Sequence, residues 1–336
     1  MKNSNYFKVL QTSDWHIGES RNTIPDYLAR QRKAVNAIFR LAEEQRCDVV
    51  VIAGDLFHPF RKVQDGKLWY EVYSTEKDML LRCLLKADKI GFKIVIINGN
   101  HDLTADTVTL LHWITLLVDS GKLKNVIIAE IEPKVVKIGD VNFGLIPFSH
   151  HMDSAATIKS WKNIPDLVCV GHEFLSGAST DTNYSTTKGA KLPILENVLA
   201  YMWGDIHKHQ FIQGQDHAVY AGAPIQHTFG DDAKKGVVIW KNFRPKFYQI
   251  KSKPLVTVKE GEEIPVDAYV RVIATHSGIE VPDNCVKVEI DFAETEPISQ
   301  NPDDLWQGLT EQLARQGLSA LQQEEAVTLA KTLMAR

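Results

Sequence analysis

Five short stretches of this chain concentrate side chains that can hold a metal ion or move a proton. They are Asp14 and His16 in "DWH"; Asp55 and His58 in "GDLFH"; Asn100, His101 and Asp102 in "GNHD"; His172 in "GH"; and Asp205, His207 and His209 in "GDIHKH". Mixed carboxylate, imidazole and amide donors suit divalent ions such as Mn²⁺, Fe²⁺ or Zn²⁺. No cysteine lies among them, which argues against a structural zinc site. Two cations about 3.5–4 Å apart need a shared carboxylate, and Asp55 is the natural choice. Such a pair polarises a phosphoryl group, so phosphoester hydrolysis is the expected chemistry.

Each cluster directly follows a short apolar run: "YFKVLQT", "CDVVVIA", "FKIVIIN", "DLVCV" and "VLAYMW". The runs are β-branched and too short for free-standing helices, so they read as buried strands. Helical patterns separate the first of them. Residues 27–45 place Leu28, Val35, Ile38, Phe39 and Leu41 near one face, and residues 73–90 repeat the pattern before Gly91. Strand–helix alternation implies a parallel or mixed sheet, with ligands gathered at the carboxyl ends of its strands. From about residue 125, "NVIIAE", "KVVKIG", "VNFGLIPF", "HAVYAG" and "KGVVIWK" suggest a second sheet packed on the first. His112, inside the apolar "LLHWITLLV", is expected to be packed or capped.

The composition shifts near residue 251. The expected organisation is a catalytic domain over 1–250, a small capping domain over 251–300 and a helical segment over 301–336. In that last segment Asn301 and Pro302 begin one helix, and Ser319 with Gln322 begins another. The formal charge of −4 gives no general argument for a polyanionic partner, so any nucleic-acid surface must be local. No apolar run is long enough to span a bilayer, and no signal-peptide pattern opens the chain. The cysteines at 47, 83, 169 and 285 are scattered, as free thiols of a reducing compartment would be. A cytoplasmic protein of a bacterial or phage-infected cell is expected, with no membrane partner.

Taken in order, "DWH", "GDLFH", "GNHD", "GH" and "GDIH" resemble the motifs of the calcineurin-like metallophosphoesterases. "GDLFHPF" and "VYAGAPIQHTFGDDAKKGVVIW" are similar to a narrower group, the SbcD-type DNA-repair nucleases. The resemblance implies a four-layer α/β/β/α sandwich of two mixed sheets, followed by a small α/β capping unit and C-terminal helices. It implies two divalent metal ions, Mn²⁺ foremost. Asp14 and His16 would bind one ion, Asp55 would bridge, and Asn100 and His172 would bind the other. His101 would contact the phosphate and protonate the leaving group, Asp102 would orient His101, and His58 would lie near the scissile phosphate. The partners implied are DNA and an SbcC-type coiled-coil ATPase, with homodimerisation possible in the group. Two other functions stay open: a phosphomonoesterase or nucleotidase on the same scaffold, and a mainly architectural subunit of the ATPase complex.

The chain departs from the family where Gly-His-x-His is usual. The gap-free match is Gly204-Asp205-Ile206-His207, which makes Asp205 and His207 the ligands. The rival pairing is His207 with His209. Residues two apart project to one side of an extended backbone in either case. The glycine register favours the first pairing. Trp15, between two candidate ligands, either walls the pocket or stacks on a base.

Overall fold

The computed structural model describes residues 7–64, 67–105, 108–182, 184–185, 189–276, 279–290 and 326–328. Its core is two six-stranded mixed sheets. In the first, Lys8–Thr12, Val49–Ala53, Lys93–Ile97 and Val126–Ala129 run parallel. Gly236–Lys241 and then Arg244–Gln249 extend that sheet antiparallel beyond Lys8–Thr12. In the second, Val141–Ile146, Leu167–His172, Val198–Gly204 and Ala218–Tyr220 run parallel, with short antiparallel strands at both edges. "NVIIAE" and "KGVVIWK" therefore belong to the first sheet, not to the second as the sequence order suggested. Pairing partners across the chain decide sheet membership, and local pattern does not encode them.

Alternation along the strands builds three apolar layers. Val9, Val49, Val51, Ala53, Val95 and Ile97 pack between the sheets, against Phe143, Val168, Val170, Ala200 and Met202. Their neighbours Leu10, Val50, Ile52, Ile94 and Ile96 face outward, against Val35, Ile38 and Phe39 of the helix Tyr27–Glu44 and Leu80 and Leu84 of the helix Ser74–Asp88. On the far side of the second sheet, Cys169, Tyr201 and Trp203 pack with Ile158 of the short helix Ser154–Ser160. This is the α/β/β/α order. Continuous apolar runs are needed because both faces of each central strand are buried. One polar exception crosses the interior. Gln11 donates to the carbonyls of Trp203 and Val219 at 3.1 and 3.0 Å and accepts from Trp240 Nε1 at 2.9 Å.

His112 is the first residue of the helix His112–Asp119 and is exposed, its Nδ1 3.4 Å from Glu130. Its place at the helix start turns it away from the packed stripe that buries Ile114. Cys47, Cys83 and Cys169 are buried free thiols.

Between Leu56 and the second helix stands a separate two-stranded ribbon, Phe60–Gln64 paired antiparallel with Lys67–Glu71. The chain divides into two compact units, Met1–Lys253 and Pro254–Arg336. In the second, Leu255–Lys259, Tyr269–Ala274 and Cys285–Ile290 form a three-stranded parallel sheet around Val258, Ala268, Val270 and Val272. No helix occurs among its described residues up to 290. The expected C-terminal helices lie outside the described residues, except for the helical stretch 326–328.

Candidate metal centre

The five clusters leave the carboxyl ends of parallel strands in both sheets, and they converge. Asp14 and His16 follow Lys8–Thr12, Asp55 follows Val49–Ala53, and Asn100 follows Lys93–Ile97. His172 ends Leu167–His172, and Asp205 follows Val198–Gly204. Tight turns make the convergence possible. Asp14, His16, Asp55 and Asp205 all adopt positive φ, at 52°, 41°, 55° and 98°. A non-glycine residue there is strained by roughly 1–3 kcal/mol, a cost typical of functional sites. Two glycines permit the close approach. A Cβ on Gly99 would come within 2.0 Å of Asp55 Oδ1, and one on Gly204 within 2.0 Å of the Ala53 carbonyl.

The donor atoms fall into two groups. Asp14, His16 and His207 form one, and His16 Nε2 lies 3.0 Å from His207 Nε2. Asp14, Asp55 and His172 form the other. Asn100 Oδ1 is 3.0 Å from His172 Nε2, and Asp205 Oδ1 is 3.8 Å from the same nitrogen. Asp55 faces both groups, with Oδ2 3.3 Å from His16 Nε2 and Oδ1 3.4 Å from His172 Nε2. His172 donates from Nδ1 to the Ala53 carbonyl at 2.7 Å, which leaves Nε2 as the ring atom facing the carboxylates. Burial, reinforced by Asp14 and Asp55 against the pull of His172, pushes Asp205 up to about 6. Burial likewise raises Asp14. So many oxygen and imidazole acceptors turned on one another match the donor chemistry of divalent cations.

His58 and His101 lie beside these groups. Their rings are stacked with centroids 5.2 Å apart, and His101 is edge-on to His16 at 4.7 Å. Asp102 does not take the role expected of it. Its carboxylate is fully buried and accepts the backbone N–H groups of Leu56, Phe57 and Gly99, at 3.2, 3.1 and 3.0 Å. His101 Nδ1 is buried with no hydrogen-bond partner. Asp102 therefore pins two ligand loops together. Burial and the nearby Asp55 push it up to about 7, against those three donors. Of the pair His58 and His101, it is His58 that meets a carboxylate, with Glu19 against its Nδ1. Sequence reading missed it, because the pairing joins two loops and nothing in the spacing marks it.

His209 turns away from the donors. Its Nδ1 lies 3.0 Å from the Tyr220 carbonyl and its ring stacks on Phe247 at 4.6 Å. Trp15 is 2% exposed, donates to Thr12 Oγ1 and meets Phe39 edge-on in the helix-facing core, so it offers no face for a base to stack on. A second missed residue is His227, fully enclosed behind Asp14. Its Nε2 donates to the Asp14 carbonyl at 2.8 Å, and burial with the neighbouring His207 pushes it down to about 3. The signal was "QHTFGDD", in which Asp231 accepts the His227 backbone N–H at 2.9 Å.

Residues 7–209, more than half of the chain, match the calcineurin-like phosphoesterase family. The chain belongs to this family. Membership makes it a hydrolase of phosphoesters whose fold binds divalent metal. Among curated relatives, it is 21% identical over 271 residues to the SbcD component of the SbcCD nuclease of Escherichia coli K12, covering 69% of this chain and 64% of that one. It is 22% identical over 296 residues to the DNA double-strand break repair protein Mre11 of Archaeoglobus fulgidus, covering 76% and 62%. The chain thus spans a little under two thirds of these relatives. A purple acid phosphatase from yellow lupin aligns at TM-score 0.44 and 14% identity, over 74% of this chain and 52% of the other. No helix among the described residues is long and apolar enough to cross a membrane.

Proposed function

We propose that this calcineurin-like phosphoesterase is a DNA nuclease using two divalent cations, Mn²⁺ foremost, and working beside an SbcC-type ATPase. The observation that carries the hydrolytic part is the convergence of Asp14, His16, Asp55, Asn100, His172, Asp205 and His207 from both sheets, with Asp55 facing both donor groups. The DNA part is supported by the relatives, which are named for nuclease action and break repair. When bound, the cations polarise the phosphoryl oxygens and make a water nucleophilic at neutral pH.

The chain's own residues supply the rest. His58 and His101 form one wall of the cleft, where a phosphodiester can accept hydrogen bonds from either ring. We assign proton delivery to the leaving 3′-oxygen to His101, whose ring lies against His16. We assign His58 to the phosphate, held in register by Glu19. Asp102 fixes the Asp55 and Asn100 loops relative to one another through the backbone N–H groups it accepts. Asp205 rather than His209 completes the donor set, since His209 is committed to Tyr220 and Phe247.

The test compares Mn²⁺-dependent degradation of linear duplex DNA with hydrolysis of a nucleoside monophosphate. DNA degradation is expected. Monophosphate hydrolysis without DNA cleavage, even with an ATPase partner added, would place the protein among the nucleotidases instead.

A further inference from the structure

The ribbon Phe60–Glu71 leaves the protein two residues after His58 and belongs to neither main sheet. Its composition is unusual for a free-standing hairpin. Trp69 is 57% exposed, Val63 72% and Phe60 37%, while Arg61 and Lys62 are exposed beside them. Large apolar side chains held in solvent are the informative exception to burial. The register sorts them. Lys62 stands directly opposite Trp69, so the two share a face, and Arg61 stands opposite Tyr70 on the other. The Arg61 guanidinium lies 5.8 Å from the Tyr70 ring centroid. Each face therefore offers a cation next to an aromatic ring.

The ribbon's root is fixed. Arg21 and Glu76 form an ion pair at 2.9 Å with side chains 5% and 0% exposed. Arg21 also donates to the His58 carbonyl at 2.9 Å, on the incoming side. Glu76 accepts the Tyr73 backbone N–H at 3.0 Å, on the outgoing side. One buried pair thus holds both legs of the ribbon beside the histidine at the cleft.

Resting on the nuclease reading above, we propose that this ribbon is the substrate grip. Its chemistry fits a nucleic-acid strand: Lys62 and Arg61 meet the phosphate backbone, and Trp69 stacks on an unpaired base near the scissile bond. Cationic grooves with interleaved aromatic rings bind single strands in this way. A protein-docking surface would instead present a continuous apolar patch with few charges at its centre.

The test uses the full chain with a short fluorescein-labelled DNA single strand in EDTA, where binding is read by anisotropy without cleavage. Trp69→Ala is expected to weaken binding about tenfold, with Trp69→Phe retaining most of it. Lys62→Ala is expected to flatten the salt dependence by about one phosphate contact. Hydrolysis of bis(p-nitrophenyl) phosphate with Mn²⁺ reads the metal centre and is expected to be unchanged in all three. Wild-type DNA cleavage with undiminished binding by Trp69→Ala and Lys62→Ala overturns the grip and leaves the nuclease reading standing. A wild type that hydrolyses the small diester but neither binds nor cuts DNA overturns the nuclease reading itself. Variants that bind DNA normally but lose a coiled-coil ATPase would show a protein-docking ribbon and likewise overturn the grip.

Discussion

The floor and the rim of the metal centre are built on opposite principles. The floor consists of Asp14, His16, Asp55 and His172, all 2% exposed or less, the first three on strained loops at positive φ and the last at a strand end. The rim consists of His58, His101 and the ribbon beyond them, half-buried or exposed. Generality and specificity therefore reside in different parts of the site. A floor this constrained serves any phosphoester, and the rim decides which one reaches it.

Substitutions in the two regions should separate accordingly. The largest effect is expected from Asp55→Asn, which removes the carboxylate facing both donor groups. Turnover of both DNA and the small diester should fall by more than the roughly 100-fold typical of outer partners. Titration calorimetry should show fewer Mn²⁺ bound. On the rim, His101→Ala should lower kcat about a hundredfold while leaving Mn²⁺ stoichiometry intact. Equal metal loss in both variants would erase the distinction between floor and rim.

Stability measurements sharpen it further. Arg21→Met leaves Glu76 charged and fully buried, so urea melts should show a loss of about 3 kcal/mol. Arg21→Met with Glu76→Leu should recover most of it, because no orphaned charge remains. Gly204→Ala forces a methyl group against the Ala53 carbonyl and should cost about 1–3 kcal/mol in the same melts. The smallest effect is expected from His209→Ala. Losing the stack on Phe247 should cost about 1 kcal/mol and leave kcat unchanged. A large drop in kcat there would restore His209 as a ligand in place of Asp205.

The sequence revealed the floor better than the rim. Each floor residue follows or ends a buried strand, and parallel strands deliver their ends to one place, so local pattern pointed to their convergence. The helices 27–45 and 73–90 were visible for the same reason and emerge as Tyr27–Glu44 and Ser74–Asp88. What stayed hidden depended on distant contacts. Glu19 meets His58 across two loops, and Asp102 was assigned to its neighbour His101 when its acceptors serve the backbone at 56, 57 and 99. The strands Val126–Ala129 and Gly236–Lys241 look like their second-sheet counterparts residue by residue. The ribbon stayed hidden because its strands lack clean apolar alternation.

The left-handed backbone at Asp14, His16, Asp55 and Asp205 also limits how this centre can be re-engineered. Among residues with a Cβ, aspartate, asparagine and histidine tolerate that conformation best. A redesign for softer metals would call for cysteine, and one for calcium for glutamate, yet neither belongs to that tolerant set. The loops thus restrict the ligand alphabet before any metal chooses from it, and retuning the ion means rebuilding the turns first.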